Sequence, residues 1–168
     1  MPLIFSFLLV VLAAPSAGAV PEPNLRFEAF EVTEKAPTRL AKADVNSHPL
    51  ARRNRHVLER GLRKGINFAG HMTAVRIPCP VEPDQGKPGW SCTTLAIVDR
   101  RTGQVYFPPP LQEFYWDPEV QGSGFGFRPN SRLLSAIGEA SSPAKRGRRA
   151  YFYEWVDGDI HLVSEIVS

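Results

Sequence analysis

His71 is the residue best suited to proton transfer, because an imidazole titrates between about pH 5 and 8 in ordinary surroundings and this one follows Phe68-Ala69-Gly70 at the start of an expected strand. Acid–base chemistry needs a partner, and the sequence offers none nearby: there is no G-x-S-x-G nucleophile elbow, and the only thiols are Cys79 and Cys92. A structural histidine bonded to backbone is therefore preferred to a catalytic one. A small hydrolase using His71 is kept as the alternative, favoured if the ring opens into a polar pocket within reach of a carboxylate. The two cysteines enclose twelve residues, PVEPDQGKPGWS, with three prolines and two glycines. This reads as a loop stapled at its base by a disulfide, a closure that stabilises by about 3 kcal/mol in the chain-entropy model. Two cysteines without a histidine cluster do not supply four zinc ligands, so no metal is expected. Glu113, Asp117 and Glu119 lie beside Tyr115 and Trp116 and suggest a glycosidase pair or a sugar-stacking platform. Proximity along a loop says nothing about carboxylate separation in space, and aromatic packing is preferred to ligand stacking. Zinc-protease, phosphate-loop and EF-hand signatures are absent, and no cofactor is expected.

Positive charge gathers in two places. Arg52, Arg53, Arg55, Arg60, Arg63 and Lys64 fall on one expected helix, and Lys145, Arg146, Arg148 and Arg149 fall in one loop. Both are candidate binding residues for an acidic partner or an anionic envelope surface. The competing reading is a solvated helix face and a hairpin tip. A net charge of only +3, with expected export, argues against nucleic acid as partner.

The elements that must position these residues begin after an export segment. Residues 3–14, LIFSFLLVVLAA, are apolar apart from Ser6 and precede the small triplet Ala17-Gly18-Ala19, which predicts a cleavable signal peptide over 1–19. The run is too short to span a bilayer, and the expected location is periplasmic or secreted. A short leader follows over 20–24, and 25–168 forms a single domain, long enough to bury roughly 68–70% of its unfolded surface.

Alternation of Leu25, Phe27 and Ala29 with charged neighbours predicts a strand over 25–33. Ser47 as cap, Pro49 in the first turn and Leu50, Val57, Leu58 and Leu62 on one face predict an amphipathic helix ending near Gly65. Beyond Gly70 the pattern is of short strands joined by tight turns: 72–77, 93–98, 104–107, 125–127, 133–137, 151–156 and 160–167. The connections are too short for helical crossovers, which favours antiparallel pairing. Phe114-Tyr115-Trp116 shows no clear period. The expectation is a mainly β (β-rich α+β) fold of antiparallel sheets, an open sandwich or half-propeller, with one N-terminal amphipathic helix.

Four segments, Asn67-Phe68-Ala69-Gly70-His71, 96–107 (AIVDRRTGQVYF), 127–134 (FRPNSRLL) and 151–155 (YFYEW), together with the cysteine pair, resemble an uncharacterised exported proteobacterial family. The D-x-x-T-G-x-V and F-x-P-x-S-x-x-L pieces are also similar to propeller-blade elements of the TolB family. The first resemblance implies export and fold, and no chemistry. A full propeller needs at least four blades of about 40 residues, more than this chain holds. The function expected from the residues is a non-enzymatic binding module of the bacterial envelope or exterior, taking another protein as ligand, with an inhibitor or immunity role as the narrower analogy.

Overall fold

The computed structural model describes residues 24–79, 89–140 and 148–167. The expected signal peptide over 1–19 and nearly all of the expected leader over 20–24 lie outside the described residues, as do Lys145, Arg146 and most of the loop between the cysteines.

The described residues form two open antiparallel sheets of four strands each, as expected for a β-rich sandwich. In the first, β1 (Met72–Pro78) pairs with β2 (Ser91–Asp99), whose other edge takes β3 (Val105–Tyr106) at one end and β4 (Phe114–Trp116) at the other. The second is a meander of β5 (Gly124–Phe127), β6 (Leu133–Gly138), β7 (Arg149–Val156) and β8 (Asp159–Val167). Tight turns make each neighbour antiparallel, as short linkers require.

Alternation then decides what each face buries. Leu95 and Ile97 of β2 point between the sheets, where they meet Phe114, Leu134, Tyr151, Tyr153 and Trp155. Ala96 and Val98 point the other way, against Ala51 and Leu58 of two short helices, α1 (Pro49–Arg53) and α2 (Arg55–Leu62). The order of layers is therefore helices, first sheet, second sheet, with β2 covered on both faces. A backbone bridge joins the two sheets where Tyr115 and Glu139 exchange hydrogen bonds of 2.9 and 2.8 Å.

Three expectations are corrected. Residues 25–33 are not a strand. Phe27–Phe30 is a 3-10 turn, Glu31 makes one bridge with Ser131, and the backbone bonds instead to the β5–β6 turn through Val32 N–H to Asn130 O and Arg132 N–H to Phe30 O, both 2.9 Å. With Ser131 Oγ also donating to Phe27 O at 2.8 Å, the local alternation loses to partners supplied by a distant turn. The single helix is two, because both the backbone and the side-chain amide of Asn54 donate to Leu50 O at 3.0 Å. Such local side-chain competition ends a helix, and α2 restarts one residue later. The cap is His48, whose Nδ1 accepts from Leu50 N–H at 3.1 Å, while Ser47 Oγ donates to Asp44 O at 2.6 Å. The aperiodic aromatic run at 114–116 is β4, a strand too short to show a period.

Candidate functional site

The segment Asn67-Phe68-Ala69-Gly70-His71 folds as a tight turn leading into β1. Asn67 brackets it, its Oδ1 accepting from Ala74 N–H at 2.7 Å and its amide donating to Ala74 O at 3.0 Å. Ala69 N–H and Gly70 N–H donate to Ser131 O and Pro129 O in the β5–β6 turn, and a positive φ of +76 at Gly70 makes that approach possible. His71 O accepts from Arg100 N–H at 2.9 Å, and Trp155 N–H donates to Arg132 O at 2.9 Å. The four segments singled out in the sequence thus meet at one seam. They enclose a cavity of about 330 Å³ whose wall includes His71, Asp99, Arg101, Tyr106, Arg132 and Trp155.

His71 is buried here, with Nδ1 2.8 Å from Glu34 Oε2 on the segment that precedes α1. The contact falls short of hydrogen-bond geometry, and both ring nitrogens are shut off from solvent without a hydrogen-bond partner among the described residues. Glu34 uses its other oxygen on Arg101, at 2.5 Å. Arg101 in turn holds Asp99 through Nη2 at 3.2 Å and through its backbone amide at 2.7 Å. Burial opposes ionisation of Asp99, but the hydrogen bonds from the Arg101 side chain and amide, with the charges of Arg101 and His71, outweigh it and hold the carboxyl below its ordinary range. The carboxylate sought beside His71 is present, while the ring's proton-carrying atoms are not open to a substrate. What this chain of charges does is tie residue 34 to the β2–β3 turn.

Cys79 and Cys92 are bonded, with Cα atoms 5.3 Å apart, directly beside the last pair of the β1–β2 ladder, Pro78 with Thr93. The aromatic run is committed to structure: Trp116 Nε1 donates to Thr93 Oγ1 at 3.1 Å, and Phe114 is fully buried. Asp117 pairs with Arg148 at 3.4 Å and accepts from Glu119 N–H at 3.0 Å, so the Asp117 carboxylate serves a loop. Among the described residues no group of three or more His, Cys, Asp or Glu could hold a metal ion.

The two basic clusters differ. In the loop cluster Arg148 meets Asp117, and Arg149 meets Glu165 at 2.5 Å. In the helix cluster only Arg55 has an acidic partner, Glu59 at 2.7 Å; Arg52, Arg53, Arg60, Arg63 and Lys64 pair with no carboxylate among the described residues. The helix residues also spread to different sides. Arg53 lies near Ile77 and Cys79, and Arg60 and Lys64 near Asn67 and Arg76. Arg55 and Arg63 turn toward a cleft shared with Lys42 and Arg100. Sequence reasoning missed Glu34, Lys42 and Arg100. The first two sit in aperiodic chain, and Arg100 lies in a D-R-R-T-G turn where exposure is the usual expectation. Comparison with protein-family models, with curated proteins and with solved structures finds no match for this chain.

Proposed function

We propose that the chain is an exported, non-enzymatic binding module that recognises an acidic protein partner through its helix layer. The observation that carries this reading is the uncompensated charge of that layer, where Arg52, Arg53, Arg60, Arg63 and Lys64 pair with no carboxylate among the described residues. Arg101, Arg128, Arg132, Arg148 and Arg149 elsewhere each meet one. Unpaired cations distributed around the helix layer steer an acidic partner toward that side of the molecule. The alternative hydrolase finds less support, since the His71 nitrogens are closed off.

The Cys79–Cys92 bond supports delivery to an oxidising compartment, periplasmic or extracellular. No helix among the described residues is long and apolar enough to cross a membrane. The test is capture from envelope extract at low and high salt, with the native chain and with a variant carrying Arg60→Glu, Arg63→Glu and Lys64→Glu. The native chain retains a partner at low salt and releases it as the Debye length shrinks from about 10 Å to about 3 Å, and the variant retains none. Recovery of no partner at either salt, or capture indifferent to the reversal, refutes the reading.

A further inference from the structure

Arg100 is the most deeply buried cation of the helix side, only 6% exposed. Its Nε donates to Ala41 O at 3.0 Å, and its Nη1 to Leu62 O at 3.0 Å and Thr73 Oγ1 at 3.4 Å. All three acceptors are neutral. Leu62 O, at the C-terminal end of α2, adds a partial negative charge, yet no carboxylate pairs with the guanidinium among the described residues. Arginine keeps its charge even where burial lowers its pKa, as it does here. A buried charge without a counter-charge is costly.

That side chain lines a cleft of about 550 Å³ between the segment 42–45 and α2. Lys42, Arg55 and Arg63 surround it with positive charge, and its one carboxylate, Glu59, is already taken by Arg55. Nη2 of Arg100 makes none of the hydrogen bonds above and is not among the atoms closed off without a partner. Val45 and Leu62 add apolar wall, which suits an acidic residue flanked by hydrophobic ones better than a fully hydrated ion.

We propose that this cleft receives a glutamate or aspartate side chain of the partner protein, whose carboxylate supplies the counter-charge that Arg100 lacks. The inference rests on the acidic-partner reading and names its anchor point. The cleft adds what a flat basic face does not, a place where one carboxylate is desolvated and held by a planar fork of donors.

The probe is a fluorescein-labelled peptide with alternating glutamate and leucine, followed by anisotropy on the whole chain. Lys42→Glu with Arg63→Glu weakens binding about tenfold or more. The charge-matched control, Lys35→Glu with Arg39→Glu on the exposed segment before the cleft, changes it less than about threefold. Arg100→Lys, which keeps the charge and loses the fork, also weakens binding while circular dichroism stays native. Equal weakening by both double reversals shows general electrostatics and overturns the cleft as anchor while leaving an acidic partner in place. No binding by the native chain removes both. Inorganic phosphate that binds the cleft tightly by itself and displaces the peptide overturns the proposal in favour of a free anion.

Discussion

Tyr153, 6% exposed between the sheets, has its phenol pushed up from 10.0 to about 12 by burial, with smaller contributions from Tyr151 and Glu165. Between these values the unfolded chain has released the proton and the folded one still binds it, so stability falls as pH rises through that window. The loss attributable to this group is about 2–3 kcal/mol. Urea midpoints taken from pH 9 to 12 should show the decline, and Tyr153→Phe should flatten it, leaving the shallower slope due to Tyr151, whose phenol burial also raises. A variant with the native slope would place the titration elsewhere. Single residues were legible in the sequence where their partner was close along the chain. Cys79 and Cys92 frame a turn-rich loop, and their pairing could be read from spacing and composition. His71 could be flagged but not understood, because Glu34 reaches it from 37 positions upstream in a stretch without periodicity.

α2 and β1 touch where the helix presents Gly61. A Cβ at that position would lie 2.6 and 2.7 Å from the two methyl groups of Val75, and a β-branched residue in a strand has little freedom to turn away. Alanine improves intrinsic helix propensity by about 1 kcal/mol over glycine, while forcing a methyl into a packed contact costs about 1–3 kcal/mol. The contact wins on these magnitudes. Gly61→Ala is expected to lower the unfolding free energy by up to about 2 kcal/mol, and adding Val75→Ala should return most of the loss. If Gly61→Ala by itself stabilises, the helix does not sit this close. Strands and hairpins of the C-terminal half were readable because turn residues and alternation agree there, as in Tyr151, Tyr153 and Trp155 before Asp157-Gly158. Residues 25–33 misled because their alternation was local and their hydrogen-bond partners were not. The break at Asn54 was hidden because apolar spacing continues across it.

The assembly of the whole molecule depends on a close backbone approach at Gly138, next to the bridge between Tyr115 and Glu139. A Cβ there would stand 2.2 Å from the Tyr115 carbonyl oxygen and 2.7 Å from Cε1 of Phe114, and neither backbone nor buried ring can yield. Gly138→Ala should therefore cost more than about 3 kcal/mol, read as a fall in thermal midpoint and a loss of near-ultraviolet aromatic signal. An unchanged midpoint would mean that the sheets do not need this joint. The cross-link between Cys79 and Cys92 has a different consequence for the whole. Apolar side chains cover both sides of β2, so burial alone ranks its pairing with β1 only weakly against a one-residue slip, which would trade Leu95 and Ile97 for Ala96 and Val98 across the layers. A covalent index mark at the mouth of the hairpin removes that ambiguity.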